Sequence, residues 1–176
     1  MTNPARAPTS GSRRAGLLPR LGAACYEALL IAALVFLTGF AMLPLVSPGT
    51  AATATQLTVP PVPARVALFC VLFSVVAFYL VWSWTGGRRT LPMKTWRMRI
   101  AQADGAPPDS RTALLRYLAA WIGPVLALVG FALLRERGLG ALALGLLGIN
   151  FLWAAVDPDR QFLHDRIAGT RIVRDA

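Results

Sequence analysis

An acidic side chain within a long apolar run is the first candidate for chemistry. Glu27 lies inside the apolar run of residues 21–46, and Arg20 precedes it by seven positions. On an α-helix these two side chains would share nearly the same face, about 10 Å apart along the axis. A carboxylate at that depth in a membrane needs a proton, a cation or water. The pattern indicates a site that exchanges a proton or cation, or a structural site in which Glu27 is protonated or pairs with Arg20 or Arg116.

A second acidic candidate, Asp165, lies near the end of the sequence beside His164. Three basic residues surround it: Arg160, Arg166 and Arg171. A surface ion pair or a helix-terminal contact would explain such a residue. We expect instead that Asp165 pairs with Arg20 and clamps the C-terminal segment across the start of the first helix. His164 would then be its pH-sensitive neighbour.

The motifs of metal binding and of common enzyme chemistry are missing from the sequence. There is one histidine, no CxxC pair, no phosphate-binding glycine loop and no nucleophile motif. Cys25 and Cys70 fall in different apolar runs, so a disulfide between them is not expected. We therefore expect no enzyme, no bound metal and no cofactor.

Composition indicates the elements that must hold these residues. The chain has 176 residues, of which 56% are hydrophobic and 15% charged, and its mean hydropathy is +0.56. These values are typical of membrane proteins, in which a helix of ~20 apolar residues crosses a hydrocarbon layer of ~30 Å. Four runs are long enough to be candidates: residues 21–46, 66–84, 117–134 and 139–156. The sequence predicts an all-α transmembrane protein, a four-helix bundle.

Positive charge predicts the orientation of this bundle. Residues 1–20, 85–116 and 157–176 hold 15 of the 18 Lys and Arg residues. Because cytoplasmic flanks retain positive charge, both termini are predicted to be cytoplasmic. The formal net charge of +10 then reflects topology and attraction to anionic lipid headgroups. Binding to nucleic acid is not expected, since the charges flank apolar runs and form no single basic face.

Small residues at helical spacing predict how the last two spans pack. The third span carries one such set: Ala120, Gly123, Ala127 and Gly130. The fourth carries another: Gly138, Ala141, Gly145 and Gly148. Such stripes allow close helix contact in a membrane, and the short link "RERG" makes the two spans an antiparallel hairpin. Pro124 should bend the third span, and Asn150 should form a hydrogen bond across helices.

The segments between the spans differ in character. Residues 1–15 read as a disordered basic tail, residues 16–176 as the membrane domain, and residues 47–64 as an extended extracytoplasmic loop. The stretch "TWRMRIAQADG" alternates apolar and basic residues, which predicts a short strand. A partner strand is predicted in "GTRIVR", after a small helix through "FLHDRIA". An isolated strand would leave its backbone unpaired, so we expect these two cytoplasmic segments to meet.

The blocks "GGRRTLPMKTWRMRIAQADG" and "DPDRQFLHDRIAGTRIV", with Arg20 and Glu27 ahead of them, resemble the RDD family of bacterial membrane proteins. That family is named for one arginine and two aspartates. By position, Arg20 corresponds to the arginine, Glu27 to the first aspartate and Asp165 to the second. Glu27 stands where the family has aspartate, and Pro92 stands where glycine is common. The resemblance implies a bacterial inner-membrane location and the transport of unidentified ligands, with sodium–proton exchange proposed for some relatives.

Two classes of function follow from these observations. The first is transport of ions or a small solute, with cation or proton exchange at Glu27 and a possible pathway shared between copies in a homo-oligomer. The second is a non-transporting scaffold that binds a membrane-protein partner and in which Glu27 belongs to a structural ion pair.

Overall fold

The computed structural model describes residues 15–46 and 59–174. Its α-helices are α1 (Leu17–Val46), α2 (Val62–Trp84), α3 (Leu91–Thr95), α4 (Ser110–Ala120), α5 (Ile122–Leu134), α6 (Ile149–Leu152) and α7 (Leu163–Ile167). The strands are β1 (Met98–Gln102) and β2 (Thr170–Arg174), and 3-10 helices cover Arg135–Arg137, Gly140–Gly148 and Trp153–Ala155. The predicted N-terminal tail, except residue 15, and most of the predicted loop at 47–64 lie outside the described residues.

Three helical segments are long and apolar enough to cross a membrane: Leu17–Val46, Val62–Trp84 and Ser110–Arg137. They agree with the first three predicted spans. Helices α1 and α2 each begin four residues earlier than predicted, at Leu17 and Val62. Each has a proline within its first turn, Pro19 in α1 and Pro63 in α2. Proline is tolerated there because the first-turn N–H groups have no partner within the helix.

The third apolar segment is interrupted where Pro124 predicted a bend. Helix α4 ends at Ala120 and α5 begins at Ile122. Proline has no N–H, so Pro124 cannot bond to the carbonyl four residues before it, that of Ala120. The side-chain amide of Asn150 donates to this carbonyl at 2.9 Å. The predicted cross-helix hydrogen bond of Asn150 is therefore confirmed, and it occupies the acceptor that the proline leaves free.

The fourth apolar segment, Gly140–Ala155, differs from the predicted α-helix. It is a 3-10 helix over Gly140–Gly148, an α-helical turn and a second 3-10 turn. A 3-10 helix has three residues per turn, so contact residues recur every third position. Gly140 and Ala143 are buried, whereas Ala141 and Gly145 of the predicted stripe are exposed. The prediction for this stripe was wrong because it assumed α-helical periodicity.

Helix α5 packs closely against the fourth segment through the stripe predicted for the third span. A Cβ added at Gly123 would lie 3.0 Å from the carbonyl oxygens of Leu146 and Leu147. A Cβ added at Gly130 would lie 3.0 Å from the Cβ of Ala143. Because higher numbers on α5 meet lower numbers on the fourth segment, the two run antiparallel, as predicted for the hairpin.

The two predicted strands pair in an antiparallel sheet. Ile100 lies opposite Ile172, and Met98 lies opposite Arg174. The backbone N–H of Ala15 donates to the carbonyl of Ile172 at 3.2 Å, so the start of α1 joins the edge of β2. The predicted meeting of the middle and C-terminal segments is confirmed. This small sheet fixes α7 and the start of α1 at the same end of the molecule.

Candidate functional site

A buried carboxylate, that of Asp165, joins two arginines from different helices. Its side chain is 0% exposed. Arg20 of α1 donates from Nη2 to Oδ2 at 3.3 Å, and Arg116 of α4 donates from Nη1 to Oδ1. The predicted contact between Asp165 and Arg20 is therefore present. Arg116 was considered only as a partner of Glu27, and its contact with Asp165 was missed.

Each guanidinium group has further partners that hold it in place. Arg20 donates to the carbonyl of Arg160 at 2.7 Å, and its Cζ lies 4.2 Å from the centroid of the Phe162 ring. Arg116 donates to Oγ1 of Thr170 at 2.9 Å. Buried charges are tolerated when they are paired and hydrogen-bonded. The cluster therefore ties α1 and α4 to the C-terminal segment.

His164 lies beside this cluster, with Nε2 3.8 Å from Oδ1 of Asp165. Burial lowers the pKa of His164 well below its ordinary value, and the positive charges of Arg116 and Arg20 lower it further. The imidazole is consequently neutral near pH 7. The imidazole is therefore not a charged partner of Asp165 near neutral pH, and the expected pH sensitivity of His164 stays a prediction.

Glu27 lies farther along α1 and is partly buried. The hydroxyl of Tyr79 on α2 donates to Oε1 of Glu27 at 2.8 Å. In the part of the chain that the structure describes, no ion pair joins Glu27 to Arg20 or Arg116, so the paired alternative is not the observed arrangement. Tyr79 was not singled out from the sequence, because one tyrosine in an apolar run carries no spacing signal.

A cavity of about 230 Å³ connects the two charge sites. Glu27, Arg20 and Arg116 all line it. Helix α1 packs mainly against α2 and α3, and the cavity separates α1 from Arg116 on α4 and Phe151 on α6. Glu27 is thus open to a space that also reaches the two arginines.

Features of metal chemistry are not found in residues 15–46 and 59–174. These described residues contain no cluster of three His, Cys, Asp or Glu side chains that could hold a metal ion. Cys25 and Cys70 are both exposed and unpaired there. The site is therefore described by its charged side chains and its cavity.

Comparison with known proteins assigns the chain to a protein family. A model of the RDD family matches residues 14–169, which is most of the chain. The chain belongs to the RDD family. No curated protein and no solved structure matches it significantly. In this RDD-family membrane protein, the positions assigned by resemblance form two adjoining sites: Arg20 and Asp165 are in direct contact, and Glu27 lies along the same cavity.

Proposed function

We propose that this protein crosses the bacterial inner membrane four times, with both termini in the cytoplasm. The distribution of Lys and Arg supports this orientation. The contact between Ala15 and Ile172 supports it too, because it joins the first helix to the last strand. The fourth segment, Gly140–Ala155, has 16 residues. Its 3-10 turns rise ~2.0 Å per residue, which lengthens it to ~30 Å, enough for a crossing.

Within this topology the protein transports ions or a small solute, and Glu27 is the group that exchanges a proton or cation. The observation that carries the proposal is that Glu27 lines the cavity of about 230 Å³ while Tyr79 donates one hydrogen bond to it. An ionised Glu27 can accept that bond and attract a cation from the cavity. A protonated Glu27 can accept it as well, so Tyr79 holds the carboxyl group in place in both states.

The cluster around Asp165 has a different role in this proposal. Asp165 is fully buried between two guanidinium groups, so a mobile ion has no access to its oxygens. It acts as a fixed anchor at the cytoplasmic end of the cavity, while Glu27 acts as the exchanging group. This division assigns one acid to structure and the other to transport.

The alternative is a non-transporting scaffold. It is favoured by the same cluster, since Arg20, Asp165 and Arg116 form a rigid connection between helices with no need for a solute. Large apolar side chains on α1, including Phe36 and Phe40, are 71% and 65% exposed. In a membrane this surface can contact lipid, a second copy or another membrane protein. The basic cytoplasmic segments would hold anionic lipid in either case.

Ion-driven flux in proteoliposomes separates the two functions. Internal pH is followed under imposed sodium and potassium gradients for the native protein and for Glu27→Gln. Glu136→Gln is the matched control, because Glu136 is exposed in the turn after α5. Transport predicts flux in the native and control proteins and its loss in Glu27→Gln with an unchanged Tm. Equal background signals from all three proteins would contradict exchange of these ions and favour the scaffold.

A further inference from the structure

A surface pocket with a basic lining lies where α2 ends. Its volume is about 360 Å³, and the residues that line it are Trp82, Gly87, Arg88, Arg89 and Lys94. Of these described residues, three carry a positive charge and none is acidic. Like charges held close together repel one another, so an anion between them is favourable. Because α2 is long and apolar enough to cross a membrane, the pocket at its end places such an anion at the membrane surface.

A turn of two glycines folds the first arginine of this pocket back over the end of α2. Gly86 and Gly87 have φ values of +60° and +73°, which glycine adopts without strain. Arg88 donates from Nε to the carbonyl of Trp82 at 2.6 Å and from Nη2 to Oγ1 of Thr85 at 2.7 Å. Its Cζ lies 4.7 Å from the centroid of the Trp82 ring. The guanidinium group is thus held in place before a ligand binds, which lowers the entropic cost of binding, and Nη1 takes part in neither hydrogen bond.

The other two cations approach the pocket from the chain that follows the turn. Arg89 is half-buried, and Lys94 is exposed in the last turn of α3. Guanidinium and ammonium groups form short, strong hydrogen bonds with phosphate oxygens. Basic pockets at the ends of membrane-spanning helices are accordingly suited to lipid headgroups that carry phosphate. The chemistry of this lining therefore favours a phosphate over other small anions.

An exposed apolar face of α2 continues from the pocket into the membrane span. Trp82, Phe78 and Val71 lie on this face, because residues four and seven positions apart share one side of a helix. They are 55%, 73% and 38% exposed. At 1.5 Å per residue the face from Trp82 to Val71 is ~16 Å long, about half of a hydrocarbon layer of ~30 Å. It therefore has the length of one leaflet, along which an acyl chain can lie.

We propose that the pocket binds the phosphate of one anionic phospholipid, whose acyl chain lies along this exposed face of α2. The site differs from the general attraction of basic segments for anionic lipid, because it holds one lipid at a fixed position. The inference requires that α2 crosses the bilayer, and it does not depend on transport at Glu27. The absence of ion-driven flux would therefore leave it unchanged.

Native mass spectrometry of the full chain in a non-ionic detergent tests the proposal by counting bound lipids. Phosphatidylglycerol and phosphatidylcholine with the same acyl chains are titrated separately, and the dissociation constant of the first bound lipid is measured. Both lipids contain a phosphate, but phosphatidylcholine also brings a positive charge toward the three cations. We expect one phosphatidylglycerol per chain, bound about tenfold or more tightly than phosphatidylcholine. Equal affinities for the two lipids would overturn the proposal.

Three substitutions locate the headgroup. Lys94→Gln and Arg88→Gln each remove one positive charge and should each weaken binding of phosphatidylglycerol about fivefold. Arg111→Gln is the matched control, because Arg111 is exposed near the start of α4 and does not line the pocket. Lys94 is exposed, so Lys94→Gln should keep the native Tm even where loss of the Arg88 contacts loosens the turn. An effect of Lys94→Gln no larger than that of Arg111→Gln would show diffuse attraction only and overturn the site.

A second pair of substitutions locates the acyl chain. Phe78→Ala should weaken binding of phosphatidylglycerol about threefold or more, because contacts with the chain are lost. Phe36→Ala should not change it, although Phe36 on α1 is 71% exposed and Phe78 is 73% exposed. Inorganic phosphate in excess should not displace the lipid. Displacement by inorganic phosphate, together with equal affinities for Phe78→Ala and Phe36→Ala, would assign the pocket to a soluble phosphate and overturn the lipid site.

Discussion

Asn150 donates its side-chain N–H to the backbone carbonyl of Ala120, 30 residues earlier in the chain, at 2.9 Å. This carbonyl is the one that would accept from residue 124 in an unbroken helix, and residue 124 is a proline. The side chain of one segment therefore completes the backbone of another.

Replacing Asn150 by Leu should destabilise the protein by about 1 kcal/mol, because the Ala120 carbonyl then has no donor. In a Pro124→Ala background the new backbone N–H can satisfy this carbonyl, so Asn150→Leu should cost less. The four proteins form a double-mutant cycle, measured by unfolding in detergent. A cost for Asn150→Leu that is the same in both backgrounds would mean that the two residues are not coupled.

Asp165→Asn should destabilise the fold by about 3–5 kcal/mol, since it leaves two buried guanidinium groups without their carboxylate. Thermal unfolding in detergent measures the change. Asp104→Asn is the matched control, because Asp104 is exposed and its turn contact to the N–H of Ala106 can be kept by asparagine. Equal melting temperatures for the native protein and Asp165→Asn would contradict the role of Asp165 in stabilising the contact of the C-terminal segment with Arg20 and Arg116.

Stability should fall as the pH is lowered from 7 toward 5.5, in part because of His164. Its pKa is lowered in the folded protein, whereas in the unfolded chain it is about 6.5. In this pH range His164 therefore becomes protonated in the unfolded chain but stays neutral in the folded protein. This difference favours unfolding by at most ~1.4 kcal/mol per pH unit. His164→Phe should give a shallower dependence of Tm on pH in this window. His164 is the single histidine in the sequence, so an unchanged slope would contradict a buried neutral imidazole.

Gly123→Ala should destabilise the contact between α5 and the fourth segment by about 1–3 kcal/mol. The added methyl group would lie 3.0 Å from two backbone oxygens, which cannot move aside cheaply. Gly145→Ala is the control, because nothing lies within 4 Å of its added Cβ. Unfolding of both variants in the same detergent checks the difference. A larger loss for Gly145→Ala would mean that the fourth segment contacts its neighbours through a different face.

The sequence predicted most of the helices and the contact of Arg20 with Asp165, for identifiable physical reasons. Long apolar runs can be recognised without knowing which helices they pack against. Two short strands can be predicted to pair because an unpaired strand would leave its backbone N–H and C=O groups without hydrogen bonds. Arg116 was harder to place because a lone arginine at the start of an apolar run is also expected to face the lipid headgroups. Its burial depends on Trp84 and Thr170, which are distant from it in sequence.

The winding of the fourth segment could not be predicted from its composition. Gly140 and Ala143 satisfy a three-residue period, but Ala141 and Gly145 satisfy an α-helical one equally well. Packing against α5 decides between the three-residue and the α-helical period. A Cβ added at Gly140 would lie 3.0 Å from the ring of Phe131, so Gly140 faces α5 closely. Small residues permit both arrangements, and only the tertiary contact selects one.

The ion pair between Arg20 and Asp165 spans 145 positions of the chain, which has a consequence for biosynthesis. The ribosome delivers Arg20 with the first helix, long before the carboxylate that neutralises it exists. Arg20 must therefore stay at the membrane surface during insertion. It can take its buried position only after the C-terminal segment has left the ribosome. A nascent chain stalled before Asp165 would keep Arg20 and Arg116 without the carboxylate that pairs with both of them in the folded protein.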